Sequence, residues 1–271
     1  MPLVLDGAPC GVASGAPVPL ALSARCSGAG AGGRSQSTAG RSSSVPGSVG
    51  GLGPLEGLEA IGRQDVAVGP GLRHLEIFTL KGLLTLLWHG DRDAESVVVL
   101  GGGAMGGLLG PADGFYHWLG GELGASGSGV GVLRVGWRTP NDLDRCTHDL
   151  LAAIDLASRS GARRAVTGGH SFGGAVAVRA GVALDELCAG VVTFATQSAG
   201  CEVVDQLSAP LLAFHGDRDE LLPLACSELV AEHAGGGGEL RVCAGAGHLM
   251  AEAAAQLRAD VPTWIRARLT A

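Results

Sequence analysis

Arg164-Ala165-Val166-Thr167-Gly168-Gly169-His170-Ser171-Phe172-Gly173-Gly174-Ala175-Val176-Ala177-Val178 reads as a short strand, a glycine turn and the start of a helix in direct succession. Within it, Gly169-His170-Ser171-Phe172-Gly173 is a G-x-S-x-G motif, the sharp strand-to-helix turn that lifts a serine hydroxyl clear of a sheet. Gly169 and Gly173 carry no Cβ to clash where the chain doubles back, and Ser171 is expected in a strained backbone conformation. The turn puts Ser171 at a helix N-terminus, where free N–H groups favour negative charge. With 47 glycines in 271 residues the bare motif arises easily by chance. Its setting and its partners carry the argument.

A serine hydroxyl needs a histidine to take its proton, and that histidine needs a carboxylate to orient it. Downstream, Leu211-Leu212-Ala213-Phe214 reads as a buried strand ending in His215-Gly216-Asp217-Arg218-Asp219. Glu239-Leu240-Arg241-Val242-Cys243 reads as the last strand, followed by Ala244-Gly245-Ala246-Gly247-His248. Both sets of groups then lie at the carboxyl edge of a parallel sheet, where sites in α/β folds collect. Asp217 and Asp219 compete for the acid role, and His248 is the candidate base. One oxyanion donor is expected from the backbone N–H of Phe172, the residue after the serine. The second is expected from the loop Gly101–Gly107, which follows the strand Val97–Leu100. Gly103 or Ala104 would supply it. That loop lacks the G-K-[ST] ending of a phosphate loop and the spacing of a dinucleotide fingerprint.

Strand, glycine loop, serine elbow, acid loop and terminal histidine in this order resemble an α/β-hydrolase, and among these the small dienelactone-hydrolase-like members. The likeness spans about residues 73–271 and is specific at Gly101–Gly107, Gly169–Gly174, His215–Asp219 and Gly245–His248. It implies a Ser171–His248–Asp219 triad. H-G-x-x-D followed by Leu221, Leu222 and Pro223 resembles the acid loop of that superfamily, in which the position of Asp217 instead braces the loop. Dienelactone hydrolases proper use a cysteine nucleophile where this chain has Ser171, so their substrate does not carry over. The implied activity is that of a serine hydrolase on small or accessible carboxylic esters, thioesters or lactones, without a cofactor. Alternatives are an acyltransferase with the same triad, or a non-catalytic ligand-binding protein on the same scaffold.

The remaining pattern agrees with this class. Glu76–Leu80 and Leu83–Trp88 flank Lys81-Gly82 and read as a hairpin. Val130–Val135 and Gly190–Phe194 read as strands. Residues 143–159 carry Leu143, Leu150, Leu151, Ile154 and Ala157 at helical spacing, and about 250–269 forms a last helix. The expected fold class is α/β, a mostly parallel doubly wound sheet opened by an antiparallel hairpin. Only residues 195–209 separate the sixth and seventh strands, too few for a cap domain, so the cleft is expected to be open. Trp118, Trp137 and Tyr116 are candidates to wall one side of it.

Residues 1 to about 70 are dominated by Gly, Ala, Ser and Pro and read as disordered. Ser-rich, acid-poor and carrying Arg25, Arg34 and Arg41, this segment has the composition of an organelle transit peptide. A dispensable tail, or an upstream translation start, is the equal alternative. The net charge of −7 removes the general attraction for nucleic acid. No apolar run is long enough to span a bilayer. Seven cysteines, odd in number and without C-x-x-C, indicate neither a zinc site nor a disulfide framework. They point to reduced thiols in an intracellular compartment: the cytoplasm, or a plastid or mitochondrion if the first segment is a transit peptide. His170 and His215 are expected to support the elbow and the acid loop by hydrogen bonds. The expected partner is a small ester-type molecule, and the sequence leaves the oligomeric state open.

Overall fold

The structure, a computed structural model, describes residues 53–270. Expectations that fall on residues 1–52 lie outside it. A nine-stranded sheet runs in the order β1-β2-β3-β5-β4-β6-β7-β8-β9. Its antiparallel part is β1 (Ala60–Gly69), β2 (Leu72–Thr79) and β3 (Gly82–His89), and β3 joins β5 (Val130–Gly136) antiparallel. The parallel part is β5, β4 (Ser96–Gly101), β6 (Arg164–His170), β7 (Cys188–Phe194), β8 (Leu211–Gly216) and β9 (Gly238–Cys243). The expected mostly parallel sheet opened by an antiparallel hairpin is observed.

Residues 60–69 depart from the expectation of disorder up to residue 70, because they form β1. This edge strand has little apolar alternation, and Ile61, Val66 and Val68 remain more than half exposed. It is ordered by pairing rather than by burial. Asp65 adds to this by taking Arg73 Nε at 2.7 Å and Arg92 Nη1 at 2.6 Å. Ahead of it, Leu58 is buried in the core, and the backbone N–H of Leu55 donates to Asp155 at 3.0 Å. Neither anchor has a local sequence signature: the Leu55 bond reaches Asp155, 100 positions on, and Leu58 packs into a core built from the later strands and helices.

Central strands are buried on both faces. All six residues of β4 are inside, which explains the continuous apolar run Val97–Leu100. One face packs against α2 (Leu143–Ser160) and α3 (Phe172–Leu184), with Val97, Val99, Leu133, Val135, Leu150, Ile154 and Val176 in one core. The other packs against α1 (Pro111–Leu123) and α5 (Ala254–Thr270), through Val98, Leu100, Phe115, Leu119, Phe194, Leu257 and Ile265. Each such side chain contributes roughly 1.5–3 kcal/mol by leaving water. A short helix, α4 (Ala225–Glu232), precedes β9 and was not expected from the sequence. Between β7 and β8 there is only a loop with one 3-10 turn, so no cap domain intervenes.

Two buried arginines fix the region behind β5. Arg138 holds Asp149 of α2 through Nε at 2.5 Å and through its backbone N–H at 2.9 Å, both side chains being almost fully enclosed. Arg134 has no carboxylate among the described residues. Its guanidinium donates to His89 Nε2 at 3.1 Å and to the Leu108 carbonyl at 3.2 Å. Burial, followed by the Arg134 charge, pushes the His89 pKa down to about 4.

Candidate active site

β4 and β6 are neighbours, while the chain continues from β4 to β5 on one side and reaches β6 on the other. The carboxyl ends of these strands form the topological switch point at which α/β sheets open a crevice. Both the glycine loop and the serine elbow emerge there. At the elbow, Ser171 has φ 56° and ψ −119°, strained for a residue with a side chain. Its N–H is held by the Phe194 carbonyl at 2.8 Å. A Cβ on Gly169 would collide with the Gly173 carbonyl, and one on Gly173 would meet the carbonyls of Gly102 and Gly101. Both motif glycines are therefore required by close backbone approach. Ser171 itself is half-buried.

Phe172 is the first residue of α3, so its N–H has no carbonyl one turn back within the helix to bind. The glycine loop lies beside it. A Cβ built on Gly103 would sit 3.8 Å from Ser171 Cβ and 3.6 Å from His170 Nδ1. Gly106 N–H closes a tight turn on the Gly103 carbonyl at 2.9 Å, with Ala104 and Met105 at its tip. The start of this loop is tied from both faces of the sheet: Tyr116 Oη donates to the Gly101 carbonyl at 3.1 Å and Trp137 Nε1 to the Gly102 carbonyl at 3.3 Å. Tyr116 and Trp137 are buried, and Trp118 stacks on Phe115. These aromatics, expected to wall the cleft, instead support the loop and the core.

On the other side, Asp219 Oδ1 accepts the N–H groups of Leu221 at 2.8 Å and Leu222 at 2.9 Å. Its Oδ2 lies 2.7 Å from His248 Nδ1 and 3.3 Å from His215 Nε2. The side chain is fully enclosed. Desolvation opposes its ionisation, but the Leu222, His248 and Leu221 hydrogen bonds outweigh it and hold the pKa below the ordinary carboxylate value. An ionised carboxylate only accepts, so the His248 proton sits on Nδ1 and Nε2 presents a lone pair.

Hydrogen bonds from several elements hold the turn that carries His248. Asp217 Oδ1 accepts the Gly245 N–H at 2.7 Å, and Glu252 Oε2 accepts the Gly247 N–H at 3.3 Å. The Leu249 carbonyl accepts the Ala112 N–H at 2.8 Å, and the His248 carbonyl accepts from His170 Nε2 at 2.9 Å. Asp217 thus braces the histidine turn rather than its own loop. His215 binds the Ser227 hydroxyl at 2.7 Å and the Leu222 carbonyl at 3.0 Å, tying the acid loop to α4. Burial pushes the His170 pKa down to about 4, so this histidine is neutral at pH 7.

The structure thus brings His248 and Asp219 into hydrogen-bond contact, and sets Gly103 beside Ser171. Ser171 Oγ forms no hydrogen bond to His248 among the described residues. His170 bridges their neighbourhoods, since it precedes Ser171 and its ring lies 4.9 Å from that of His248. Long or unmade serine–histidine bonds are ordinary in sites without substrate. Cysteine offers no rival nucleophile at four positions: burial pushes Cys146 and Cys201 up to about 12, and Cys188 and Cys243 to about 11. Among the described residues no group of three or more His, Cys, Asp or Glu side chains could hold a metal ion. No helix among them is long and apolar enough to cross a membrane. The contributions of Ala112 and Glu252 had no sequence signal, because each acts through a backbone group of the histidine turn.

No known family model matches the chain, and no curated protein does. Solved structures do. Est1E from Butyrivibrio proteoclasticus superposes with a TM-score of 0.62 at 14% identity, over 73% of this chain and 99% of that one. A dienelactone hydrolase from Anabaena variabilis ATCC 29413 gives 0.61 at 18% identity, over 76% and 98%. XC6422 from Xanthomonas campestris, described as an α/β serine hydrolase without a lid, gives 0.59 at 18% identity, over 74% and 97%. The fold is the α/β-hydrolase fold, and no cap domain stands between β7 and β8.

Proposed function

We propose that this protein is a serine hydrolase of carboxylic esters, working through Ser171, His248 and Asp219. The observation that carries the reading is the 2.7 Å bond between His248 Nδ1 and the enclosed Asp219 carboxylate, made at the strand edge where the Ser171 elbow emerges. Ser171 Oγ attacks the ester carbonyl carbon while its proton passes to His248 Nε2. The carbonyl oxygen becomes an oxyanion, held by the backbone N–H of Phe172 and by one from Gly103 or Ala104. The carbon–oxygen bond to the alcohol breaks, and His248 returns its proton to the departing alkoxide. Water, deprotonated by His248, then releases the acyl group from Ser171. Asp219 stays ionised throughout and fixes the His248 tautomer. The names of the similar folds, a dienelactone hydrolase and an α/β serine hydrolase among them, agree with this class. The substrate partner is a small ester-type molecule.

A fluorophosphonate probe tests the reading. It is expected to label the wild-type protein at Ser171 and to leave Ser171→Ala unlabelled. His248→Ala is expected to lower turnover of a p-nitrophenyl ester by about 10³-fold or more. An unchanged rate in that variant would remove the triad.

A further inference from the structure

Four of the large aliphatic side chains that water reaches most freely stand on or beside the three loops that build the site. Met105 is 93% exposed on the glycine loop and Leu109 63% just beyond it, before α1, Leu221 is 73% exposed on the acid loop, and Leu249 is 69% exposed on the histidine turn. The other exposed aliphatics are scattered over β1, the β2–β3 turn, the start of β3, α4 and β9. These four are tied to the reacting groups by short backbone links. Leu221 donates its N–H to Asp219, and Leu249 follows His248 directly. Met105 lies within the turn closed by Gly103 and Gly106, beside Ser171. Leu109 joins the same region: its carbonyl takes the Tyr116 N–H, and Ala112, three residues on, donates to the Leu249 carbonyl. Leu221 and Leu249 also line a shared depression of about 590 Å³ next to His248, whose wall includes the charged side chains Arg218, Glu220 and Glu252.

Single exposed apolar residues need no explanation, but a set gathered at one place marks a surface that something apolar covers. Here the occupant is constrained. The loops that carry these residues flank Ser171 and His248, so a substrate bonded to Ser171 lies close to them. We infer that the site prefers esters of aliphatic acids, whose acyl chain lies across Met105, Leu109, Leu221 and Leu249 in an open groove instead of entering a closed tunnel. This deepens the hydrolase reading above and rests on it. The rim is aliphatic, while Tyr116 and Trp137 are buried beneath the glycine loop, so the contact offered is one to methylenes and not to a stacked ring.

The test is kcat/KM for p-nitrophenyl esters from acetate to octanoate, below their aggregation concentrations, alongside fluorophosphonate labelling. A methylene buried completely is worth a factor of about four, and one covered on a single side about two. Wild-type kcat/KM is therefore expected to rise by roughly 60-fold over the six added methylenes. The combined Met105→Ser, Leu109→Ser, Leu221→Ser and Leu249→Ser variant is expected to flatten that rise to a few-fold. Substitution at such exposed positions leaves the core intact. Leu80→Ser, at an equally exposed leucine on the β2–β3 turn, is expected to keep the wild-type slope. A labelled, active enzyme whose rate is flat or falls with chain length would overturn this inference alone, as would a slope unchanged in the fourfold variant. Absence of both labelling and turnover would overturn the hydrolase reading and this inference with it.

Discussion

Replacing Asp219 by asparagine separates orientation from shape. The carboxylate makes four contacts: Leu221 and Leu222 N–H on Oδ1, and His248 Nδ1 and His215 Nε2 on Oδ2. Asparagine has one accepting oxygen, and two backbone donors claim it at the Oδ1 position. The amide nitrogen is then left facing His248, and a donor there requires Nδ1 to accept. The histidine proton moves to Nε2, the atom that takes the serine proton in the proposed mechanism. Loss of the right tautomer costs about 10⁴-fold in a comparable triad, close to 5.5 kcal/mol at 1.36 kcal/mol per factor of ten. The fold loses much less, since the Leu221 and Leu222 bonds survive. About 1–3 kcal/mol of charge-assisted bonding disappears, a fall of several degrees in Tm for a domain of this size. The assay is p-nitrophenyl ester hydrolysis beside thermal unfolding, with Asp217→Asn as the companion. Asp217→Asn keeps an acceptor for Gly245 and is expected to lose less than tenfold. If Asp219→Asn kept more than a tenth of the wild-type rate while Asp217→Asn lost a thousandfold, the acid would be Asp217 and the triad assignment would fall.

Two further outcomes concern stability. Arg138→Leu strands the enclosed Asp149 carboxylate and is expected to cost about 3–5 kcal/mol, read as a Tm drop on the order of 10 °C. A drop of a degree or less would mean that water reaches the pair. Acid should also loosen the molecule. Folding lowers the pKa of His89 and His170 from 6.5 to about 4, so the unfolded chain binds the extra protons. Their contribution is whole above the unfolded pKa and fades as pH falls from about 6.5 toward 4, each tenfold loss of proton affinity on folding being worth at most about 1.4 kcal/mol. Asp219, whose folded pKa is depressed, gives stability present above its unfolded value of 3.8 and lost as pH falls through the lower folded one. Tm is therefore expected to decline from pH 6.5 downward, and less steeply in His89→Gln. A Tm independent of pH over that window would refute the assignment of both histidines as neutral.

The elbow was readable because its requirement is local. Gly169 and Gly173 are the residues that a backbone folded against itself permits, and they sit within four positions of each other. The same holds for β4 and β8, whose unbroken apolar runs follow from burial on both faces. Strand β1 was not readable. Its partner supplies its order, and its own residues stay exposed. The aromatics Tyr116 and Trp137 were legible as important but not in role, since their hydrogen bonds to the Gly101 and Gly102 carbonyls depend on how α1 and β5 pack beside the end of β4.

By itself, the sequence determined the alternation of strands and helices, the position of the strained serine turn, and the three loops able to carry a nucleophile, an acid and a base. These depend on the volume and polarity of neighbouring residues, which the chain states directly. Tertiary structure decided what meets what: Asp219 rather than Asp217 against His248, Asp217 on Gly245, His170 on the His248 carbonyl, and Ala112 on the Leu249 carbonyl. Those contacts join residues up to 137 positions apart, Ala112 and Leu249, and their geometry exists only once the sheet order brings β4, β6, β8 and β9 to a common edge.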